Sequence, residues 1–327
     1  MTSTFFKRPP IFPFRCPNLV EASSFKGRDV VSMLDFNREE IDFILDKASE
    51  MKPLAERGSD LLKGRILATL FFEPSTRTRL SFEAAMHRLG GGVIGFAQPG
   101  VSSIAKGESF EDTIRTVENY ADVIVVRHPE EDSAVRAAKV AEIPVINAGS
   151  GPWEHPTQAL LDLHTIREAK GRIDGLNIAL VGDLLYGRTV HSLAFALANY
   201  DVKLYLVSPP QLKMRRDVLE KVEGRLNYVE TGDLKSILPE LDVLYVTRVQ
   251  RERFPRPEDY EAVKDAYRID REMLRDARED LIVMHPLPRV TEIATDVDET
   301  PHAWYFRQVR HGLYVRMALL ALVLGAL

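Results

Sequence analysis

The sequence predicts an α/β protein: two doubly wound parallel-sheet domains joined by interdomain helices, with the active site in the cleft between them. Three observations carry this expectation. Apolar runs of strand length alternate with segments of helical period along most of the chain, the pattern of a parallel sheet covered on both faces. The alternation breaks once, at Gly149-Ser150-Gly151-Pro152, and then restarts. At 327 residues and 45% apolar composition, the chain can furnish two cores.

Taken in order, Asn37 and Glu40 have capping-box spacing, and Ile41, Ile44, Leu45 and Ala48 form the apolar stripe of a first helix. Residues 66–72 read as a buried strand and 80–89 as a helix. A short strand over 93–97 leads into a Gly/Ser-rich loop over 98–107. The next helix, 110–120, has Glu108, Glu111 and Asp112 near its start, where the helix dipole favours acids. Strand 122–126, helix 131–141 and strand 144–147 complete the first alternation. Beyond the glycine break, a long helix over 156–169 reads as the link between domains. Strand 177–181, helix 189–199, strand 202–207, helices near 212–222 and 234–238, and strands 242–247 and 281–284 follow, with helical segments between the last two. The final helix, 303–324, is apolar over much of its circumference and is expected to pack back on the first domain. The expected domains are thus 27–154 plus 305–327, and 155–304, after an N-terminal extension of 1–26.

Composition narrows the function. A net charge of −5 leaves no basic excess for nucleic-acid binding. The single cysteine, Cys16, excludes an intrachain disulfide and any cysteine-based zinc site in the chain. No apolar run approaches the ~20 residues that span a bilayer. A soluble, cytoplasmic protein without a membrane partner is therefore expected. Residues 1–17 carry Lys7, Arg8 and Arg15 and no acid, yet lack the apolar stretch of a secretory signal. That segment reads as a loose tail or an arm on another chain, with organellar targeting as a further reading.

Ligands in open parallel sheets bind beyond the carboxyl ends of the strands, so the residues placed there are the candidates. After strand 66–72 comes Glu73-Pro74-Ser75-Thr76-Arg77-Thr78-Arg79, three hydroxyls and two guanidinium groups at the start of a helix. Helix N-termini present unpaired N–H groups and the positive end of the dipole, so this stretch has the composition of a phosphate cradle. It lacks the glycine-lysine signature of a nucleotide P-loop. The bland reading is an N-cap followed by two solvated arginines. Later strand ends supply Arg127-His128, His155-Pro156-Thr157-Gln158, Gly182-Asp183 with Arg188, Arg248-Val249-Gln250, and His285-Pro286-Leu287-Pro288-Arg289. Arginines at 77, 127, 188 and 248 converging on one cleft would suit a substrate with several anionic groups.

Each also has a structural reading. Arg188 could pair with Asp183, and His155 could cap its helix. His285, a lone histidine after a strand, is more often structural. Gly182 and Gly187 hint at a dinucleotide fold without its three-glycine spacing. Prolines on both sides of Leu287 restrict the backbone and suggest a cis bond, which could present carbonyl oxygens to a ligand. With no close carboxylate pair, no Ser-His-Asp set and no metal constellation in the sequence, the chemistry reads as binding, charge stabilisation and orientation.

The stretch 72–79 resembles the carbamoyl-phosphate signature of the transcarbamoylase family, and His155-Pro156-Thr157-Gln158 resembles that family's second shared motif. Arg248-Val249-Gln250 and His285-Pro286-Leu287-Pro288-Arg289 are similar to the aspartate-using branch; the ornithine-using branch has a His-Cys-Leu-Pro motif, and position 286 here is proline. The resemblance covers roughly residues 27–324. It implies transfer of a carbamoyl group from carbamoyl phosphate to L-aspartate, the committed step of pyrimidine synthesis, with no cofactor. It implies that Ser75, Thr76, Arg77 and Thr78 hold the phosphate, and that Thr78, Arg127 and His155 polarise the carbonyl oxygen. Gln158 with the Pro286 and Leu287 carbonyls would orient the NH2 group, with Pro288 in the same carbamoyl-phosphate site. Arg188, Arg248 and Gln250 would hold the aspartate carboxylates, with Lys106 reaching both substrates.

The resemblance further implies a homotrimer with shared sites, in which the loop 101–108, carrying Ser102, Ser103 and Lys106, enters the neighbour's site. A separate regulatory chain is a possible partner, and domain closure hinged near 149–156 is expected. Two other readings stand beside this one: a transcarbamoylase with an ornithine-type acceptor, and a catalytically retired subunit that binds ligand or scaffolds an assembly. Arg188, Arg248 and Gln250 suit a dicarboxylate rather than a cationic amine, and the presence of every motif residue argues against retirement.

Overall fold

A computed structural model describes residues 20–98, 106–250, 256–261, 263 and 266–327. Residues 1–17, read as a tail or an arm, and the loop serines Ser102 and Ser103 lie outside these residues, whereas Ala22–Phe25 of the expected 1–26 extension form a 3-10 turn with Phe25 buried. In chain order the elements are α1 (Arg38–Glu50), α2 (Lys52–Arg57), β1 (Ile66–Phe71), α3 (Thr76–Arg88), β2 (Gly92–Phe96), α4 (Phe110–Val117), β3 (Val123–His128), α5 (Ser133–Val140) and β4 (Val145–Ser150). Then come α6 (Pro156–Lys170), β5 (Asn177–Val181), α7 (Arg188–Leu197), β6 (Lys203–Val207), α8 (Arg216–Lys221), β7 (Asn227–Thr231), α9 (Leu234–Ile237), β8 (Val243–Val246), α10 (Pro257–Glu261), β9 (Ile282–Met284) and α11 (Tyr305–Val323).

The strands form two sheets, ordered β2-β1-β3-β4 and β7-β6-β5-β8-β9, and every pairing is parallel. Each sheet has one point where the winding reverses: between β1 and β3 in the first, between β5 and β8 in the second. Crevices for ligands open beyond the carboxyl ends of strands at such points. The expected capping box of α1 is formed, with Asn37 and Glu40 exchanging bonds.

Several boundaries differ from the sequence expectation for local reasons. α3 starts at Thr76 rather than near 80, because Ser75 caps it by accepting from the Thr78 N–H. The hydroxyl-rich stretch is therefore the first helical turn itself. The helix expected over 212–222 is a 3-10 turn, Pro210–Leu212, then α8, with extended backbone at Lys213 between them. The sequence does not mark β7, an edge strand whose residues are mostly exposed and lack the apolar alternation of a half-buried strand. Nor does it mark α2, a helix of six residues.

One hydrophobic core runs from the first sheet to the second. Leu67 and Phe71 of β1 belong to the same buried cluster as Ile178 and Leu180 of β5, bridged by Leu160 and Leu163 of α6 and Leu319 and Leu320 of α11. As expected, α11 returns to pack on α1 and α3; it also packs on α6, which contacts α7, α1 and β4. These two helices occupy the middle of the molecule.

Where they meet, His164 of α6 lies edge-on to His311 of α11, ring centroids 5.2 Å apart. Burial pushes the His164 imidazole down to about 3 and His311 to about 4. Neither His164 nitrogen has a hydrogen-bond partner. An unfolded histidine takes up its proton near 6.5, so stability from the neutral His164 is fully present above that pH and is lost progressively below it. At pH 5 the loss amounts to about 2 kcal/mol, roughly 1.5 pH units at 1.36 kcal/mol each. His164→Phe should therefore lose less stability than the native chain between pH 7 and pH 5 in urea titrations. Equal losses would contradict this account of the pair.

Candidate active site

The reversal points of both sheets face one cavity of about 420 Å3. The first sheet contributes Glu73 to Thr78 after β1 and Arg127 at the end of β3; the second contributes Arg188 at the start of α7, and Thr247, Arg248 and Gln250 after β8. His155 and Gln158 enter from α6, Pro286, Leu287 and Pro288 from beyond β9, and Gln308 and Arg316 from α11. The four arginines expected to converge do so.

At the α3 end, Thr76, Arg77 and Thr78 form the first turn, so their N–H groups precede the helical ladder. The Arg77 guanidinium donates to the Leu287 carbonyl at 2.8 Å, joining the cradle to the proline loop. Burial lowers the Arg77 pKa, and the neighbouring Arg248 lowers it further. Thr78 Oγ1 lies 3.4 Å from His155 Nε2.

Electrostatics peak at Arg127. Burial first, then the charge of Arg188, pushes its guanidinium down to about 9, against the opposing pull of Glu73. Glu73 accepts from Arg127 at 3.2 Å and from both terminal nitrogens of Arg188, at 3.0 and 2.7 Å. This corrects the pairing of Arg188 with Asp183: α7 turns the guanidinium across the cleft toward the other sheet. The backbone of Gly149 (φ +123) makes room, since a Cβ there would stand 3.0 Å from Arg188 and 3.1 Å from Arg127.

Asp183 instead organises the loop that follows β8, accepting from the N–H groups of Tyr186 at 2.9 Å and Gln250 at 3.4 Å. The Gln250 side chain donates to the Tyr186 carbonyl at 3.1 Å. Gly182 is required for close strand approach, because a Cβ would meet the Thr247 carbonyl at 2.3 Å. The two glycines at 182 and 187 thus serve backbone packing here.

His155 does not cap its helix with its side chain. It is buried, and its pKa lies well below 6.5 because of burial and then the nearby Arg127, Arg316 and Arg188. It is a neutral imidazole, with Nδ1 unpartnered. His285 combines structural and site roles. Its Nδ1 accepts from the Leu287 N–H at 2.7 Å, which leaves Nε2 to donate to Glu292 at 2.7 Å. The Leu287–Pro288 bond is cis, as the paired prolines suggested, and Leu287 has φ 56.

Lys106 is exposed and does not line the cavity of its own chain, and Arg289 pairs with Asp298 outside it. Two participants escaped the sequence reading. Arg316 is buried and lines the cavity, donating to Ser81 at 2.8 Å, and burial pushes its pKa down to about 10. A lone arginine inside the apolar run 312–324 is the signal that could have marked it, since a buried charge needs a reason. Gln308 was the other. Chemically, the site is a cationic cleft with hydroxyl and amide donors on one wall and backbone carbonyls opposite.

Residues 28–168 match the family described as Aspartate/ornithine carbamoyltransferase, carbamoyl-P binding domain, and 174–323 match its Asp/Orn binding domain. The aspartate carbamoyltransferase catalytic subunit of Thermococcus kodakarensis is 60% identical over 93% of this chain and 99% of its own. Aspartate transcarbamoylase of Trypanosoma cruzi, solved in complex with carbamoyl phosphate, superposes with a TM-score of 0.89 at 45% identity, over 94% of this chain and 98% of that one. The catalytic subunit of the M. jannaschii enzyme gives 0.83 at 52% identity, over 90% and 96%.

A cleft this cationic should bind simple anions. Inorganic phosphate is expected to raise the melting temperature, and Arg77→Ala to remove that rise while changing unliganded stability by less than about 1 kcal/mol. A rise that survives Arg77→Ala in a thermal-shift titration would place the anion elsewhere.

Proposed function

Because this chain belongs to the aspartate/ornithine carbamoyltransferase family, we propose that its cleft transfers the carbamoyl group of carbamoyl phosphate to the amine of L-aspartate. The observation that carries this reading is the convergence of Arg77 and Arg127 from the first sheet with Arg188 and Arg248 from the second. Such a cleft suits a phosphate on one side and a dicarboxylate on the other.

In this reading the hydroxyls of Ser75, Thr76 and Thr78, the first-turn N–H groups of α3 and the Arg77 guanidinium hold the phosphate. Thr78, Arg127 and the neutral His155 surround the carbonyl oxygen, where negative charge grows as the carbon becomes tetrahedral. Gln158 and the carbonyls of Pro286 and Leu287 take the NH2 group; Arg188, Arg248 and Gln250 take the two carboxylates of aspartate. The neutral aspartate amine attacks the carbonyl carbon and a C–N bond forms. The C–O bond to phosphate then breaks, and the departing phosphate accepts the amine proton. No side chain need serve as base, since the leaving group carries its own acceptor oxygens.

Two features extend the reading. Anionic substrate competes with Glu73 for Arg127 and Arg188, so binding is coupled to the contact between the sheets. Lys106, exposed on its own chain, is proposed to act in the site of a second copy within a homotrimer.

The test is phosphate release from carbamoyl phosphate with L-aspartate or L-ornithine as acceptor. Aspartate-dependent release is expected, with kcat/KM for aspartate falling about 100-fold or more in Arg248→Ala. Release with ornithine alone would contradict the acceptor assignment. Because His155 is held neutral well below 6.5, its protonation should not shape the pH profile between 6 and 8. His155→Ala is expected to lower kcat about 100-fold or more, as loss of an oxyanion donor does. A limb near 6.5 that disappears with His155→Ala would show that the imidazole titrates in the working range.

A further inference from the structure

We propose that Asp162 is the positioning residue that makes the cleft select a carbamoyl NH2, by holding the Gln158 amide with its oxygen toward the substrate. The inference rests on the transferase reading above and adds a specificity determinant to it.

Asp162 is fully buried on α6, one turn beyond Gln158. Its Oδ1 accepts from Gln158 Nε2 at 2.9 Å and from Gln308 Nε2 at 2.6 Å. The orientation of Gln308 is fixed independently, because its Oε1 accepts from the His285 backbone N–H at 2.9 Å. A backbone N–H can only donate, so the Gln308 NH2 must face Asp162 and Oδ1 must be an acceptor. Burial pushes the Asp162 carboxyl up to about 7. A proton taken up there belongs on Oδ2, which has no partner, so Oδ1 accepts in both protonation states.

The consequence falls on Gln158. One of its N–H groups is committed to Asp162, and the Tyr245 hydroxyl flanks the same pair. The amide oxygen is the end left for the cavity that Gln158 lines. The same network reaches the opposite wall: Gln308 holds the His285 backbone, and His285 Nδ1 holds the Leu287 N–H, which sets the Pro286–Leu287 carbonyls. Acceptors from both walls therefore frame the carbamoyl nitrogen. An NH2 group can donate to them; the methyl of acetyl phosphate, of nearly the same shape, donates nothing to the Gln158 oxygen or the Pro286 carbonyl, while the Leu287 carbonyl keeps its bond from Arg77. Sites built to hydrogen-bond a substrate group reject analogues that lack it far more strongly than apolar pockets reject an extra methyl.

The experiment compares carbamoyl phosphate with acetyl phosphate, as calorimetric Kd and as kcat/KM with aspartate, in the native chain, Asp162→Asn and Asp162→Leu. Inorganic phosphate is the control ligand. Asp162→Asn keeps a side-chain oxygen for the two glutamines and should retain the native preference. Asp162→Leu should reduce the preference about tenfold or more at unchanged phosphate affinity. An undiminished preference in Asp162→Leu, or one that falls only in step with phosphate affinity, would overturn the proposal. So would a collapse in Asp162→Asn, which decides the matter even where the leucine variant does not fold. Absence of turnover in the native chain would count against the transferase reading, while the ratio of Kd values still decides the role of Asp162.

Discussion

Glu73 is the contact on which the site depends. It follows β1 in the first sheet and binds Arg127 of that sheet together with Arg188 at the start of α7, beside the second. Both guanidinium groups are largely buried, at 11% and 10% side-chain exposure. Without an anion between them they would repel, by a few kcal/mol at an effective dielectric near ~20. The carboxylate offsets that repulsion and at the same time ties the two halves of the cleft together. Both guanidinium groups line the cavity beside Glu73, so an anion entering there would compete with the carboxylate for them.

The precision of the cleft comes from the two helices at its floor. α6 supplies His155, Gln158 and Asp162, and α11 supplies Gln308 and Arg316, from segments whose other faces lie in the continuous core. Side chains placed this way are held by packing as well as by hydrogen bonds. The junction before α6 is reinforced by Glu154, which accepts from Ser32 Oγ at 2.6 Å, the Met33 N–H at 2.9 Å and Ser192 Oγ at 3.3 Å. Ser192 Oγ in turn accepts from the His155 N–H at 2.8 Å. The backbone of His155 is thus anchored to α7, the helix that carries Arg188.

Much of this was legible in the sequence because it is local. A hydroxyl and arginine run behind an apolar strand, and histidine or arginine behind most later strands, already point to one anion-binding cleft. What escaped reading depends on contacts distant along the chain. The partner of Arg188 is 115 residues away, whereas Asp183 is merely close by along the chain. Gln308 and Arg316 sit in a helix whose apolar character dominated its reading, and their function exists only because α11 returns to the cleft. Asp162 reads in the sequence as one more residue of the linking helix, because its role exists only where Gln158 and Gln308 share its oxygen. β7 was missed for the opposite reason: at a sheet edge, exposure removes the apolar signal that marks a strand.

The claim at the centre of this account is that arginines from both sheets grip one multiply charged ligand at once. Calorimetric titration with N-(phosphonacetyl)-L-aspartate, the compound bound in one of the Trypanosoma cruzi structures, addresses it most directly. The account predicts one molecule per site, with affinity reduced at least about 100-fold by Arg77→Ala at one end and again by Arg248→Ala at the other. Affinity that either substitution leaves unchanged would mean that one sheet alone binds the ligand, and the bridging cleft described here would be wrong.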